Sequence, residues 1–354
     1  MPEYRLDPLT GRMVIVAEER AARPHQFDIT DKPFQDVCPF CEGNETFTPN
    51  ETAAFRPADS APNTPGWTVR VVPNKFPAVV AGEIPAGLSD PSFLQSGGTA
   101  EGIGLHEVII DTPRHVLSIS ALTLPEIAGM LAMYRLRLQA LRTDSRWAFV
   151  QIFKNVGAAA GASLPHSHTQ LVAMPFVPQS LMPQLFSWQK KGTQRQAGLY
   201  HKHCRWCERL ESERQSGDRI VETTGHFVAL CPFVSRFAGE MEIYPKYHES
   251  GFDKLETGLL DELAELLHRT VLRLEKAVFW MKDPLAYNIV LNTEPLRFER
   301  DGERVDFSST FHWHFSILPS LARAAGFEWG TGLHINPVSP EQAARRMRQS
   351  LDGA

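Results

Sequence analysis

Apolar and polar residues follow two different periods along this chain. Short runs such as EVII, VQIF, MEIY and YNIVL are rich in β-branched and aromatic residues, a composition typical of strands. Two longer segments repeat apolar residues at the spacing that predicts a helix. The first begins at a Thr123-x-x-Glu126 capping box with Pro125 in its first turn, and Ser339 to Gln342 starts a last helix with a similar pattern. The apolar positions of the two long helices are Leu124, Ile127, Met130, Leu131 and Tyr134, then Leu259, Leu260, Leu263, Leu266 and Leu267.

These elements recur twice in the same order. CPFC is followed by RVVPNKFPAVV, HEVIIDTPRH, the first long helix, RWAFVQIFKN and HSHTQLVAMP. CRWC is followed by HFVALCPFVSRF, GEMEIYPKYH, the second long helix, AYNIVLNT and FHWHFSILP. An internal repeat of this length determines the architecture. We therefore predict an α+β protein of two related halves, each a mostly antiparallel sheet with one long helix packed on it. The predicted halves are residues 1–178 and 201–354, with a polar, proline-bearing connection at 179–200.

Composition and charge narrow the possible partners. The 354 residues carry a net charge of -5, with 43% hydrophobic and 22% charged residues. A broad nucleic-acid surface would need a basic excess, so no nucleic-acid partner is expected. One small phosphorylated ligand needs only a few local donors. The N-terminus lacks an apolar segment and no run of about 18 apolar residues occurs, so we expect a soluble cytoplasmic protein without a membrane partner.

Four of the five cysteines form two Cys-x-x-Cys pairs. In a reducing compartment this spacing indicates metal binding or redox chemistry. A thioredoxin-like role is disfavoured because neither pair opens a helix after a strand. Structural zinc takes four nitrogen or sulfur ligands, and each half offers two histidines at equivalent positions after its pair. The predicted ligands are Cys38, Cys41, His115 and His166 in the first half, and Cys204, Cys207, His248 and His312 in the second. The alternative is that His115 and His248 merely cap surface loops.

The stretch LPHSHTQ places His166, His168 and Gln170 at every second position. In a strand these side chains share one face. If a metal holds His166, His168 is a fixed imidazole that can attack phosphorus. Gln170, Ser163 and backbone amides near Gly161 can supply the donors that a charged phosphoryl group requires. The alternative makes all three residues of the row metal ligands or a polar strand edge. The second half reads HWHFS, without the glutamine, so one half is predicted to keep the chemistry and the other the scaffold.

These residues resemble the galactose-1-phosphate uridylyltransferase family of the histidine-triad (HIT) superfamily, whose motif is HxHxQ. The resemblance covers nearly the whole chain and includes FKNVGAAAGASLPHSHTQ, VVPNKFPAV and the opening YRLDPLTGRMVIVAEERAARPHQF. It implies two HIT-like repeats, with zinc held by the Cys-x-x-Cys pair, the PRH histidine and the first histidine of HxH. It also implies that His168 carries the nucleotidyl group and that Gln170 and Ser163 hold the phosphoryl group. The residues implied to seat the nucleotide are Arg20, Arg23, Asn74, Lys75, Asn155 and Gly161.

The implied activity is a ping-pong transfer of UMP from UDP-glucose to galactose 1-phosphate. The ending GFEWGTGLHINPVSPEQAARRMR follows a GTG pattern shared with relatives that act on ADP-glucose with inorganic phosphate. Leu164-Pro165 replaces the commoner Asn-Pro. In the family the C-terminal region reaches the sugar of the neighbouring subunit, so a homodimer is implied.

Two further alternatives come from other function classes. A dinucleotide hydrolase of the HIT type generally carries a histidine where Gln170 stands, so the glutamine favours transfer to an acceptor over water. A zinc-stapled binding module would leave Gln170 and the glycine run without a purpose. The metal of the second site is open as well, since iron could replace zinc there.

Overall fold

The fold is built on one long antiparallel sheet. The computed structural model describes residues 1–6, 13–18, 37–85, 98–186, 204–277, 285–300, 302–321 and 325–351. The strands of these regions are β1 (Glu3–Leu6), β2 (Met13–Val16), β3 (Ala53–Phe55), β4 (Val69–Pro73), β5 (Gly98–Glu101), β6 (Leu105–Ile110), β7 (Phe149–Val156), β8 (His168–Met174), β9 (Ile220–Thr223), β10 (Phe227–Leu230), β11 (Met241–Pro245), β12 (Tyr287–Asn292), β13 (Glu299–Arg300), β14 (Glu303–Arg304) and β15 (His314–Pro319). The helices are α1 (Leu124–Thr143), α2 (Met182–Leu185), α3 (Arg205–Ser216), α4 (Leu260–Lys276), α5 (Gly326–Thr331) and α6 (Pro340–Gln349).

The order of the strands shows the internal repeat directly. The ten-stranded sheet runs β3-β4-β6-β8-β7-β12-β15-β11-β10-β9, so the second half mirrors the first. Gln170 on β8 pairs with Phe153 on β7, and Ser316 on β15 pairs with Val290 on β12. Phe153 and Val290 also pair with each other, which places a local two-fold axis at this pair. The predicted α+β fold of two related halves is confirmed.

The two half-sheets join edge to edge instead of remaining separate. The join is the antiparallel pairing of β7 with β12, which we call the seam. An unpaired edge strand offers its N–H and C=O groups to any other strand, and the seam satisfies two such edges at once. The residue limits predicted for the halves stay predictions, since 187–203, which include most of the predicted connection and the start of the second half, lie outside the described residues.

Both long helices cover the same face of the sheet. Their buried side chains share one apolar core with β4, β7, β8, β12 and β15. At the start of α1, Thr123 Oγ1 accepts from the Glu126 backbone N–H and the Glu126 side chain accepts from the Thr123 N–H, as the capping box predicts. α6 is capped by Ser339, also as predicted, whereas Leu259 ends a short 3₁₀ turn before α4.

A small sheet, β2-β1-β5, lies apart from the long one. It is tied to the rest by the buried Tyr4, whose hydroxyl donates to the Ile103 carbonyl at 3.0 Å. In the described part of the chain, no helix combines the length and the apolar character needed to cross a bilayer.

An ion pair also links the halves on the helical side. Arg142, in the last turn of α1, donates through Nε and Nη2 to the two carboxylate oxygens of Asp253, each at 2.7 Å. Nη2 also lies 3.4 Å from Glu294 Oε1. Asp253 is almost fully buried, and its carboxylate would lose its main partner without the guanidinium.

We expect Arg142→Met to lower the free energy of unfolding by about 2 kcal/mol, because it leaves a buried carboxylate without its cation. Chemical denaturation of both proteins measures the difference. The matched control is Arg214→Met, which breaks an exposed pair with Glu211 on α3. That change should stay within about 0.5 kcal/mol of the wild type. Equal effects from the two substitutions would contradict the interpretation.

Candidate functional site

The HxHxQ row lies on the face of the sheet opposite the long helices. β8 begins at His168, and its Thr169, Leu171 and Ala173 point toward α1 or the apolar core. Side chains alternate along a strand, so His168 and Gln170 point to the other face. Both are buried. His166 lies two residues before His168, just outside the strand, and the Phe40 ring contacts both imidazoles.

The protonation of His168 follows from one contact. His168 Nδ1 lies 2.7 Å from the backbone oxygen of His166. A carbonyl oxygen only accepts, so Nδ1 carries the proton and Nε2 keeps its lone pair. Burial lowers the pKa of His168 to about 4, and the ring is therefore neutral near pH 7. His168 is a buried, neutral imidazole with its lone pair on Nε2.

Gln170 is oriented by a residue that the sequence analysis missed. His106 on β6 accepts a hydrogen bond at Nδ1 from the Ala78 backbone N–H, at 2.9 Å. Its proton is therefore on Nε2, which lies 3.0 Å from Gln170 Oε1. This bond turns the Gln170 amide nitrogen away from His106. One sequence signal could have identified His106: it is a polar residue in the strand HEVII. It shares a strand face with Val108, which pairs with Gln170.

Asn74 belongs to the same group. Its Oδ1 accepts from the Phe76 N–H at 2.9 Å, so its Nδ2 is a donor and lies 3.1 Å from His106 Nε2. With the proton of His106 on Nε2 this is a close approach of two N–H groups, so the structure places the predicted Asn74 beside His106 without a hydrogen bond to it. Lys75, the next residue, is exposed.

The glycine loop between β7 and β8 is supported by the second half. Gly157 and Gly161 have φ of 81° and 85°, a backbone region that favours glycine. A Cβ at Gly157 would also lie 2.9 Å from Ala286 Cβ. Asn288 on β12 donates at 2.8 Å to both Asn155 Oδ1 and the Ala160 carbonyl.

Asn288 was also missed, because no local pattern shows that it lies across the seam from Asn155. The predicted Asn155 and Gly161 are adjacent, with Asn155 Nδ2 3.7 Å from the place a Gly161 Cβ would take. Ser163 is half-buried in the same loop. Arg20 and Arg23 lie outside the described residues.

The first predicted ligand set comes together as a group. The ligand atoms of Cys38, Cys41, His115 and His166 all lie within 4.8 Å of one another. Cys41 Sγ is 3.4 Å from His115 Nδ1 and 3.6 Å from His166 Nδ1. Zinc–ligand bond lengths in a tetrahedron give a sulfur–nitrogen edge of about 3.6 Å. The group therefore has the size and donors of a tetrahedral metal site.

Hydrogen bonding prepares this group for a cation. His166 Nε2 lies 2.9 Å from the Thr112 carbonyl oxygen, so Nε2 holds the proton and Nδ1 faces the thiols with a lone pair. Burial raises the pKa of Cys41 to about 11, so metal binding would displace its proton. The group contains His166 and not His168, which fits the division of roles predicted for the row.

The second predicted set has the same donors, but its Cys-x-x-Cys pair does begin a helix, contrary to the expectation from the sequence, because Cys204 is the N-cap residue of α3. Cys204, Cys207, His248 and His312 also lie within 4.8 Å of one another. Cys207 Sγ is 3.4 Å from Nδ1 of each histidine. Their Nε2 atoms lie 2.9 Å from the Ser308 carbonyl and 3.0 Å from the Pro245 carbonyl. The hydrogen bond with Cys207 holds the pKa of the Cys204 thiol well below its usual range, so a thiolate is available.

In the second half, aromatic rings pack on the imidazole that corresponds to His168. His314 repeats the contact of His168, with Nδ1 3.0 Å from the His312 oxygen. Its ring is stacked on Tyr244 with centroids 4.7 Å apart, and Trp206 lies beside it. Ser316 stands where the first half has Gln170. Aromatic rings therefore cover this imidazole.

Known proteins resemble the chain over its whole length. The profile of the galactose-1-phosphate uridyl transferase N-terminal domain matches residues 1–178. An ADP-glucose phosphorylase from Arabidopsis thaliana is 34% identical, covering 98% of this chain and 93% of its own. A galactose-1-phosphate uridylyltransferase from Thermotoga maritima is 30% identical, covering 99% of each. The crystal structure of an ADP-glucose phosphorylase from Arabidopsis thaliana with bound ADP-glucose superposes with a TM-score of 0.69 at 33% identity over 99% of each chain.

We expect the purified protein to carry two equivalents of a transition metal, because both Cys/His groups have tetrahedral dimensions. Cys41→Ser and Cys204→Ser should each remove one equivalent, as measured by elemental analysis. Cys231→Ser is the control, because this lone buried cysteine belongs to neither group. A wild-type protein that stays metal-free after growth in supplemented medium would contradict the prediction.

Proposed function

The chain belongs to the galactose-1-phosphate uridyl transferase family, and we propose that it transfers a nucleotidyl group by a ping-pong mechanism through His168. The observation that carries the proposal is the Nδ1 contact of His168, which leaves Nε2 with a lone pair on the face that also presents Gln170. Two successive displacements at one phosphorus replace a direct transfer between two anionic substrates.

The proposed reaction uses UDP-glucose and galactose 1-phosphate. His168 Nε2 forms a bond to the α-phosphorus while the bond from that phosphorus to the bridging oxygen breaks, and glucose 1-phosphate leaves. A phosphate oxygen of galactose 1-phosphate then attacks the same phosphorus. The phosphorus–nitrogen bond breaks, UDP-galactose leaves and the imidazole regains its lone pair.

The donors around His168 would stabilise the charge that develops on the phosphoryl oxygens. Gln170 offers its amide N–H, because His106 occupies its oxygen. Ser163 and the backbone amides near Gly161 lie in the loop that leads into β8. The residues proposed to seat the nucleotide are Arg20, Arg23, Asn74, Lys75 and Asn155.

The metal proposed for the first group is zinc, which two sulfur and two nitrogen ligands favour. When bound, it supplies a cation that ties three segments of the chain together through four ligands and leaves no open position for a water nucleophile. Cys38, Cys41 and His115 would hold His166 in place, and the carbonyl of His166 holds the His168 ring. Zinc is also proposed for the second group, where iron is the alternative.

A second candidate function is ADP-glucose phosphorolysis, in which His168 carries AMP and inorganic phosphate is the acceptor. Two observations favour it. The relative at 34% identity is an ADP-glucose phosphorylase, and the C-terminal segment has the GTG pattern. The chemistry at His168 is the same in both candidates, and only the base and the acceptor differ.

A homodimer is part of the proposal. The C-terminal segment around α5 exposes a set of large apolar side chains, which a second copy would cover. They are Phe327, Trp329, Leu333 and Ile335. The cytoplasmic location expected from the sequence stays a prediction.

We expect a covalent adduct on His168 when the protein is mixed with a nucleotide sugar and no acceptor. Peptide mass spectrometry after separate incubations with UDP-glucose and ADP-glucose identifies the peptide and shows whether UMP or AMP is attached. His168→Ala is the negative control, and His314→Ala, which alters the equivalent histidine, should still form the adduct. An unmodified His168 peptide in every incubation would contradict the mechanism.

His106→Phe should slow adduct formation about tenfold, because the Gln170 amide is then no longer held in one orientation. Rapid-quench measurement at saturating nucleotide sugar gives the rate constant. His268→Phe is the matched control, since His268 Nε2 contacts the Ser120 carbonyl away from the row. A wild-type rate constant for His106→Phe would show that Gln170 does not depend on this histidine.

A further inference from the structure

A group of buried polar side chains lies beneath β8, on the helix-covered face. Lys154 Nζ donates to Asp111 Oδ2 at 2.6 Å, to Ser167 Oγ at 2.8 Å and to the carbonyl oxygen of His168 at 3.2 Å. Ser167 and Thr169 each donate to Asp111, at 3.0 and 3.1 Å, and Tyr134 bonds to Thr169. Lys154 is 2% exposed and Asp111 is 0% exposed. We call these five residues the Lys154 network.

Both charged groups of the network have hydrogen-bond partners within it. An ammonium group has three donors, and those of Lys154 all have a partner: a carboxylate, a hydroxyl and a main-chain carbonyl. Asp111 in turn accepts three hydrogen bonds. Such a group is stable once formed, but an ion pair of this burial is no better for folding than well-packed apolar residues of similar volume.

The second half supplies the comparison within the same molecule. Because His168 and His314 correspond, Ser167 corresponds to Trp313 and Thr169 to Phe315. The pairings of Gln170 with Phe153 and of Ser316 with Val290 make Lys154 correspond to Leu291. All three counterparts are fully buried apolar residues of the main core.

Asp111 has no counterpart at all. Ile109 pairs with Thr169 and Ile243 with Phe315, so Ile109 and Ile243 correspond. The carbonyls that contact the metal-group histidines belong to Thr112 and Pro245. The first half has two residues between Ile109 and Thr112, whereas the second half has one residue between Ile243 and Pro245. The additional residue of the first half is Asp111.

The two halves therefore support their HxH segments differently. The second half uses apolar packing, and the first half uses the Lys154 network. The network is present in the half whose HxH segment is followed by Gln170, although His168 and its counterpart His314 are both buried. Folding does not account for the difference, since the second half folds the same strands without it.

We infer that Lys154 is a positioning residue for nucleotidyl transfer, which fixes the main chain of His168 from the face opposite its imidazole. The inference rests on the proposed function. Lys154 holds the carbonyl of His168, and the carbonyl of His166 holds its Nδ1. Between these two bonds the residue has little freedom to rotate away from a bound phosphorus. A misplacement of about 1 Å costs about a hundredfold in rate.

The test removes both charges together, so that none is left buried alone. The variant combines Lys154→Leu with Asp111→Asn. The leucine is the residue found at the equivalent position of the second half, Leu291. We expect this variant to keep two metal equivalents and the melting temperature of the wild type. At saturating nucleotide sugar it should form the His168 adduct at least tenfold more slowly, with the half-saturating concentration changed less than threefold.

The matched control is Arg142→Met with Asp253→Asn, which removes another largely buried ion pair far from the row. It should form the adduct at the wild-type rate even if it melts earlier. Lys154→Gln with Asp111→Asn keeps a neutral hydrogen-bonded pair in the same space and is measured in parallel, in case the leucine variant does not fold. Its adduct formation should be slowed in the same way.

The outcomes separate the two proposals. No adduct on the wild-type protein with any nucleotide sugar would overturn the proposed function and this inference with it. An adduct on the wild type and an equal rate constant in a folded double variant would overturn the inference alone. Slow adduct formation at wild-type metal content and half-saturation would support it, because a purely structural role does not predict that split.

Discussion

The contact between His168 Nδ1 and the carbonyl of His166 is the constraint on which the rest of the site depends. It decides which nitrogen of the imidazole has a lone pair and where that lone pair points. Three features near the row support the chain on either side of this contact. The Cys/His group surrounds His166, the glycine loop leads into the strand, and Asn288 supports that loop from the other half. Most of the residues that matter here therefore never touch the ring itself.

Local patterns were enough to predict the repeat, the fold class and the two Cys/His groups. Each Cys-x-x-Cys pair is a fixed spacing, and the histidines follow at the ends of strands whose order repeats. Alternation along one strand also placed His168 and Gln170 on a common face. These predictions succeeded because each rests on residues that are near in sequence, or on the recurrence of one order of elements.

The missed residues all depend on strand register. His106 reaches Gln170 because β6 lies beside β8, and Asn288 reaches Asn155 because two strands 133 positions apart meet at the seam. A shift of either pairing by one residue would turn these side chains to the other face. Lys154 was unremarkable in the sequence for the same reason: nothing near it shows that Asp111 lies opposite. Arg20 and Arg23, in contrast, were named from resemblance and lie outside the described residues.

The seam makes the first half structurally dependent on the second. β7 is an interior strand only because β12 covers it, and the loop that precedes His168 is supported by Asn288 and by Ser320, which donates to the Ala159 carbonyl. A chain that stopped after the first half would still contain the whole HxHxQ motif. In that shorter chain β7 would be an unpaired edge strand, and the loop before His168 would lose its contacts with Asn288 and Ser320. The second half can therefore lack Gln170's equivalent and still be needed to complete the sheet and support the loop of the first half.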